Sequence, residues 1–217
     1  MMPETRSATA LTAQESRQAA ARERIIDAAV AEFAAQGFAG ARVDAIAERA
    51  GINKRMLYAY LGNKKALWLA ALERVYAAKR EEERRLDLQR LSPVEGMQIL
   101  VRFNFRYHME HPEFLSMLND ENLQHGLNLH GSKNVVALYS PLLELISSLL
   151  ERGEAEGVFR RNVDPMQLYI SIIGLGYFYC SNRYTLAAIF NRDFESIEEV
   201  LTREQHIVDE ILGFLRP

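Results

Sequence analysis

The fold is decided by residues 43–61, which read VDAIAERAGINKRMLYAYL. Apolar residues recur at helical spacing on both sides of Gly51, and a glycine permits the left-handed backbone that a tight turn requires. Ala47 is small enough to let two helices cross closely. The side chains expected beneath the crossing are Ile46, Ile52 and Leu57. This spacing predicts two short helices, Val43–Ala50 and Lys54–Leu61, joined by a turn at the glycine.

The second of these helices carries residues suited to a nucleic acid. Asn53 is placed to cap it, and its first turn then exposes side chains that a helix in the major groove of DNA presents to base edges. Arg55 is the predicted base reader, whereas tyrosine hydroxyls and a lysine at the next helix N-terminus suit phosphate oxygens. The predicted DNA-contacting residues are Arg42, Lys54, Arg55, Met56, Tyr58, Tyr60 and Lys64. For Arg42, a solvated side chain is an equal alternative.

At these residues the sequence resembles the TetR/AcrR family of transcriptional repressors. The matching residues are Arg24–Ala29, Phe33, Gly37-Phe38, Ile46-Ala47, Ala50-Gly51, Leu57-Tyr58 and Lys64–Leu67. The resemblance implies a three-helix DNA-binding domain followed by a helical domain that binds a small-molecule effector and forms a homodimer. The chain departs from the family pattern in having Ala41 and Arg42 where a Ser or Thr usually caps the first motif helix, and Leu61 in place of an aromatic residue.

Helical spacing recurs along almost the whole chain, and no segment alternates apolar and polar residues as a strand would. We therefore predict an all-α protein with a flexible N-terminal arm (1–16), a helix-turn-helix domain (17–63), a connecting helix (64–90) and an effector-binding and dimerisation domain (91–217). The first helix is predicted to run from Arg17 to Gln36 and to end at Gly37. Further helix starts are predicted at Ser92-Pro93, Asp164-Pro165 and Thr202. Pro141 either starts or kinks a helix.

Polar and aromatic residues cluster in the inner helices of the second domain, a mixture suited to a mostly apolar ligand cavity. The predicted effector-binding residues are Phe103, Tyr107, His108, Asn122, His125, Tyr177, Asn182 and Arg183. Arg183 suits a carboxylate-bearing effector if it faces inward, and it belongs to the dimer rim or to solvent if it faces outward. The runs Phe105–His108 and Gly176–Arg183 also resemble the branch of the family that includes regulators of pyrimidine and aromatic-acid catabolism.

Two long apolar segments near the C-terminus predict a homodimer. Residues 164–190 are predicted to form a helix that is apolar on nearly all of its faces. The final helix has an apolar stripe opposite a charged face. The predicted interface residues are Leu186, Ile207, Ile211 and Leu215. Packing within one chain is the alternative for these residues.

Charge is distributed unevenly along the 217 residues, whose formal net charge is −3. Residues 1–90 hold 16 Lys and Arg against 12 Asp and Glu, and residues 91–217 hold 10 against 17. A basic module on an acidic body favours binding of a polyanion at one end. Chance asymmetry is the alternative when charge is considered alone.

Other classes of protein find little support in the sequence. The single cysteine, Cys180, and the lack of a leader indicate a reducing cytoplasm. Residues 165–182 lack charge but are too polar for a membrane span. A metal site at His108, Glu110, His111 and Glu113 would be interrupted by Pro112, so we predict no metal, no cofactor and no enzymatic activity.

The sequence therefore predicts a cytoplasmic repressor that binds a pseudo-palindromic double-stranded DNA operator as a homodimer. Binding of a small-molecule effector would favour a second conformer and release the operator. An activator or dual regulator of the same fold is the alternative, because the sign of regulation depends on where the operator lies.

Overall fold

The computed structural model describes residues 4–130 and 132–217, including the side chains of 14–130, 132–135, 137 and 141–217. Over these ranges the chain is helical and contains no strand, which confirms the all-α prediction. The helices are α1 (Glu4–Gly40), α2 (Val43–Arg49), α3 (Lys54–Leu61), α4 (Lys64–Arg84), α5 (Pro93–Glu110), α6 (Pro112–Leu123), α7 (Lys133–Ala155), α8 (Pro165–Phe190) and α9 (Ile197–Leu215), with a 3₁₀ turn at Leu88–Arg90. None of these helices combines the length and the hydropathy that crossing a bilayer requires.

The chain divides into two compact units. The first runs to Val75 and also includes Ser116–Ser132, whereas the second comprises Tyr76–Leu115 and Lys133–Pro217. Helices α4 and α6 therefore each contribute residues to both units. The functional limits predicted at residues 63 and 90 stay predictions. Helix α1 begins at Glu4, within the predicted arm, so the predicted start of the first helix at Arg17 was wrong. Residues 1–3 lie outside the described residues.

An aromatic cluster forms the centre of the first unit. The buried ring of Trp68 lies edge-on to Phe33, with 4.9 Å between ring centroids, and to Phe38, with 5.5 Å. Phe38 reaches Trp68 because Gly37 interrupts the regular path of α1 at φ 66°. The sequence prediction that the first long helix stops at this glycine is thus confirmed, although a further helical turn follows it.

A buried carboxylate holds residues 116–132 within the first unit. Glu121 accepts hydrogen bonds from Trp68 Nε1 (2.7 Å), from the backbone N–H groups of Asn128 (2.7 Å) and Leu129 (3.1 Å), and from Asn128 Nδ2 (2.9 Å). Ser116 adds a hydrogen bond of 2.7 Å from its hydroxyl to the carbonyl of Ala34. Charged acceptors form stronger hydrogen bonds than neutral ones. The Glu121 carboxylate satisfies donors of α4 and of the loop between α6 and α7.

Helices α5, α7, α8 and α9 enclose the core of the second unit. Its central residues include Leu100, Phe105, Ile146, Ile172, Ile207 and Val208. Helix α5 begins with the predicted capping box, in which Ser92 accepts from the backbone of Glu95 and the Glu95 carboxylate returns to Ser92. Asp164 caps α8 as predicted, through the N–H groups of Met166 and Gln167.

The structure overturns one local prediction and decides between the two alternatives of another. The last helix begins at Ile197 and not near Thr202, so that prediction was wrong. Ser196 supplies the cap by accepting from Glu199 N, and two glutamates in the first turn favour the positive end of the helix dipole. Pro141 lies inside α7, so it does not start a helix.

An ion cluster joins α5 to α9. The buried carboxylate of Glu204 accepts from Arg102 Nη1 at 2.5 Å and from Arg106 Nε and Nη2 at 2.5 and 2.9 Å. Burial favours the protonated form of Glu204, but the hydrogen bonds from Arg106 and Arg102 outweigh it and lower the pKa of the carboxyl. The charged carboxylate is therefore the form that ties the two helices together.

Candidate DNA-binding surface and effector site

The turn between α2 and α3 has the geometry that the sequence predicts. Gly51 takes φ +67°, a conformation that L side chains rarely adopt, and the turn is closed by a hydrogen bond from Ile52 N to Ala47 O of 3.0 Å. Asn53 Oδ1 accepts from Met56 N at 2.8 Å and so caps α3. Ile46 and Leu57 are buried beneath the turn as predicted, together with Ala47, whereas Ile52 is only half-buried. The position and the exposed face of α3 are therefore set by local chemistry together with a small core.

Helix α3 exposes a continuous row of the predicted DNA-contacting residues. Arg55, Met56 and Tyr58 are exposed, and Tyr60 is half-buried. Met56 and Tyr58 expose 42% and 40% of their surface. Since these side chains contribute little to the core of their own unit, the face they form is available to a partner.

Two further basic residues have partners within the chain. Lys54 Nζ pairs with Asp44 at 3.0 Å, and this contact raises the pKa of Lys54 through a hydrogen bond and charge attraction. Lys64 Nζ donates to the carbonyl of Ala39 at 3.3 Å and lies 5.3 Å from the centre of the Phe38 ring. Both lysines lie at the N-termini of helices, where an anion is favoured.

Arg42 stands at the N-terminus of α2, where the sequence lacks the usual capping residue. Its side chain makes no capping hydrogen bond and is exposed, while its backbone N–H donates to Glu32 Oε1 at 3.1 Å. The helix thus starts without a side-chain cap, and Asp44 in its first turn is the acidic residue that favours the helix dipole. Arg42 remains free to extend toward a phosphate or toward solvent.

Four of the predicted effector residues come together in the second unit. Phe103 and Tyr107 are ring neighbours at 5.7 Å, and His108 meets Tyr177 edge-on at 6.4 Å. Tyr107 and His108 are buried. Burial raises the pKa of the Tyr107 hydroxyl above its ordinary range and lowers the pKa of His108 to about 3, in the latter case with help from the positive charges of Lys79 and Arg80. The His108 ring is therefore neutral at physiological pH.

The other four predicted effector residues lie elsewhere. Asn122 and His125 belong to the first unit and are exposed there, so their role in effector binding stays a prediction. Asn182 donates to the carbonyl of Phe178 at 2.9 Å. Arg183 donates to Glu195 at 3.0 Å and to the Tyr184 hydroxyl at 2.8 Å, so its guanidinium is already paired within the chain and its role in effector binding stays a prediction.

Sequence reasoning missed the charged residues that the structure buries beside His108. Lys79, Arg80 and Glu83 are 1%, 4% and 3% exposed, although the run that contains them looks like a solvated helix surface. A signal was present, because these three residues continue the apolar stripe of α4 through Leu72, Val75 and Tyr76 at helical spacing. Charged residues on a buried stripe indicate a functional or structural ion site.

The predicted dimer residues need a correction. Ile207, Ile211 and Leu215 are buried in the core of their own chain, so they have no surface to offer to a second chain. Leu186 is half-buried and keeps part of its surface. Helices α8 and α9 instead expose other large apolar side chains: Met166, Ile170, Phe178, Leu201 and Phe214. For Ile207, Ile211 and Leu215 the structure thus favours the alternative of packing within one chain, and the location of an interface stays a prediction.

Metal chemistry has no geometric basis in the described part of the chain. No group of three His, Cys, Asp or Glu residues there could hold a metal ion. His111 stacks on Tyr107 at 4.0 Å between ring centroids, and its Nδ1 lies 2.8 Å from Glu113. The thiol of Cys180 is buried, and burial raises its pKa to about 12.

A capped, exposed recognition helix on a helix-turn-helix, followed by a larger helical unit with buried polar groups, defines a DNA-binding regulator. Comparisons with known proteins agree. Residues 25–71 match the profile of bacterial regulatory proteins of the tetR family, and residues 93–211 match that of the tetracyclin repressor-like C-terminal domain. The chain belongs to the TetR family of transcriptional regulators.

Individual relatives support the same assignment. The transcriptional repressor NicS of Pseudomonas putida is 37% identical over 172 residues, which cover 79% of this chain and 81% of NicS. The repressor SCO4008 of Streptomyces coelicolor is 41% identical over 109 residues, 49% of this chain and 52% of that protein. A putative TetR-family regulator from Mesorhizobium loti has the same fold, with a TM-score of 0.71 at 18% identity over 93% of this chain and 99% of that one.

These findings confirm the predicted class of function. The protein is a DNA-binding transcriptional repressor of the TetR family, controlled by a small-molecule ligand, and not an enzyme.

Proposed function

We propose that the chain acts in the cytoplasm as a homodimer that places α3 of each subunit in successive major grooves of a pseudo-palindromic operator. The observation that carries this proposal is the exposed row on α3, in which Arg55, Met56 and Tyr58 stand on a short helix capped by Asn53. A single recognition helix contacts few base pairs, and a two-fold pair of such helices is the ordinary way to obtain adequate affinity.

In this proposal the residues divide into base readers and phosphate contacts. Arg55 offers a planar, bidentate donor to guanine, and Met56 offers an apolar contact to a thymine methyl group. Tyr58, Tyr60, Lys64 and Arg42 position the protein on phosphates. The pair between Lys54 and Asp44 is exposed and therefore costs little to break, so Lys54 can exchange the carboxylate for a phosphate.

The dimer would form through the exposed apolar face of α8 and α9. Ile170 and Phe178 on α8 are 54% and 59% exposed, and Leu201 on α9 is 53% exposed. Exposure of several large apolar side chains on two neighbouring helices is typical of a subunit interface, and a two-fold interface uses the same patch on both chains.

Coupling between effector and operator would run through α4. This one continuous helix carries Lys64 near its start and the buried Lys79, Arg80 and Glu83 near its end. An effector bound beside the buried residues would shift the balance between two conformers by its preference for one of them. The same shift would move the phosphate contact at Lys64 and lower operator affinity.

Selection of bound DNA from a random pool tests the proposal. The full chain should enrich an inverted repeat whose half-sites are about one helical turn apart. The double variant Arg55→Ala, Met56→Ala should lose the enriched sequence, while Arg90→Ala, an exposed arginine of the second unit, should retain it. Enrichment of no sequence, or of a site without two-fold symmetry, contradicts the proposal.

A further inference from the structure

The buried end of α4 carries more positive than negative charge. Lys79 and Arg80 are two buried cations, and Glu83 is the one buried carboxylate that stands beside them among the described residues of the second unit. Glu83 pairs closely with Arg80, at 2.6 Å, and lies 3.9 Å from Lys79 Nζ. Buried charge without full compensation is costly, so such a cluster is stabilised by an added negative charge.

Lys79 is the cation whose charge is less well compensated. Its ammonium donates to Asn104 Oδ1 at 2.8 Å and lies 5.7 and 5.4 Å from the ring centres of Tyr107 and Phe114. An ammonium group has three N–H donors, and the described side chains provide one neutral oxygen and two aromatic faces for them. Burial lowers the pKa of Lys79 to about 7, which Glu83 only partly opposes.

His108 adds unused hydrogen-bonding capacity next to this lysine. It lies one turn after Asn104 on α5 and is 1% exposed, and neither of its ring nitrogens has a hydrogen-bond partner among the described residues. Its ring stacks on Phe114, with 5.9 Å between centroids, so His108 and Lys79 both contact this phenylalanine. A buried, unpaired imidazole costs free energy that a ligand oxygen at its N–H would recover.

A cavity opens beside Arg80 and Glu83 on the α7 side, while Lys79 and His108 lie buried behind them. It has a volume of about 70 Å³ and is lined by Arg80, Glu83 and Arg84 of α4 and by Ala137, Pro141, Leu142 and Leu145 of α7. A groove of about 440 Å³ shares Glu83, Arg84, Pro141 and Leu145 with it. The groove also carries the carboxylates of Asp87 and Glu144, which would repel a ligand with a second negative charge.

We propose that the Lys79–Arg80–His108 cluster binds the carboxylate of a small organic acid with a single negative charge and an apolar or aromatic body. The carboxylate stabilises the charged form of Lys79, from which it accepts a hydrogen bond, and it also accepts from the imidazole N–H of His108. The body of the ligand lies toward Pro141, Leu142 and Leu145. This inference rests on the proposed function, because it names the class of effector that the repressor responds to.

Calorimetry on the full-length protein without DNA tests this assignment. The probes are acetate, butyrate and benzoate, each compared with its uncharged amide of nearly the same shape. At least one carboxylate should bind about tenfold or more tightly than its amide, because only the carboxylate forms a charge-assisted hydrogen bond with the Lys79 ammonium. Phthalate, with two carboxylates, should bind more weakly than benzoate. Equal binding of acids and amides, or binding of none of the acids, overturns the proposal.

Variants locate the binding. Lys79→Met keeps the length of the side chain and removes the charge, and it should weaken the best carboxylate at least tenfold while leaving its amide unchanged. The matched control is Arg85→Met, an exposed cation directly after the end of α4 that does not line the cavity or the groove. His108→Phe is a second variant of similar volume, and it should also weaken binding of the carboxylate. It keeps the test available if Lys79→Met fails to fold. Unchanged affinity in a folded Lys79→Met or His108→Phe protein contradicts the assignment.

Operator binding is measured separately, so that the two proposals fail independently. A carboxylate that binds through Lys79 but leaves operator affinity unchanged supports the ligand site and refutes its coupling to DNA. If the unliganded wild-type protein binds no specific DNA sequence, the proposed function is refuted, and the calorimetric result on ligand binding still stands.

Discussion

The indole of Trp68 donates a hydrogen bond of 2.7 Å to the carboxylate of Glu121, which lies 53 residues further along the chain, and both side chains are buried. The same carboxylate accepts from Asn128 and Leu129. A residue near the end of α6 thus completes the core of the unit that carries the helix-turn-helix.

Substitution of Glu121 should destabilise the first unit. Glu121→Gln removes a charged acceptor that serves several buried donors, and we expect the free energy of unfolding to fall by about 2 kcal/mol or more. Urea denaturation followed by far-UV circular dichroism measures this, and Trp68→Phe in a double-mutant cycle isolates the indole contact. The control is Glu48→Gln, an exposed glutamate of α2. A cycle with no coupling would show that the hydrogen bond is energetically unimportant.

Arg55 and Lys64 should affect DNA binding in different ways. Arg55→Ala removes a base contact and should weaken the cognate operator by about 1 to 3 kcal/mol with little effect on unrelated DNA. Lys64→Ala removes a phosphate contact, and it should weaken all DNA and reduce the salt dependence of log affinity by about one. Fluorescence anisotropy at several salt concentrations separates the two effects. Equal losses on every sequence for both variants would refute the division into base and phosphate contacts.

The exposed face of α8 should be required for dimerisation. Phe178→Glu places a charge within an apolar face, so the protein should become monomeric at micromolar concentration and lose roughly tenfold or more in operator affinity. Sedimentation velocity gives the oligomeric state. Leu123→Glu is the matched control, because Leu123 is also apolar and exposed but lies on α6. If the protein remains a dimer both with Phe178→Glu alone and with Phe178→Glu and Ile170→Glu combined, the interface lies elsewhere.

Glu204 should contribute to stability in a pH-dependent way. Its pKa is lowered in the folded state, so its contribution is present above its ordinary pKa and is lost as pH falls through the lowered value. Glu204→Gln should reduce the free energy of unfolding by about 1 to 3 kcal/mol at pH 7 and by less at acid pH. Denaturation at pH 7 and at stepwise lower pH measures this, with Glu210→Gln, an exposed residue of α9, as control. A difference between wild type and Glu204→Gln that is constant with pH would contradict the ion-cluster interpretation.

Features that depend on nearby residues were predictable. Gly51, Asn53, Ser92 with Glu95, and Asp164 each act within a few residues of their own position, and the structure places each as predicted. The start of α9 was the exception, because Ser196 and Thr202 are both competent caps and the sequence offers no local reason to prefer the earlier one.

Features that depend on which faces meet were not predictable. The stripe on α9 showed that Ile207, Ile211 and Leu215 share a face, but a stripe does not say whether it packs against its own chain or a second one. The direction of the Arg183 side chain was not predictable for the same reason, because its partner Glu195 lies beyond the end of α8.

Local backbone chemistry therefore settles the helix-turn-helix, its cap and the exposed row on α3, because a glycine turn and an Asn cap act over a few residues. Long-range packing decides the rest. It buries Lys79, Arg80 and His108 together, and it ties Glu121 to Trp68. The physical reason is that helical periodicity specifies a face, whereas burial and charge pairing depend on which distant face covers it.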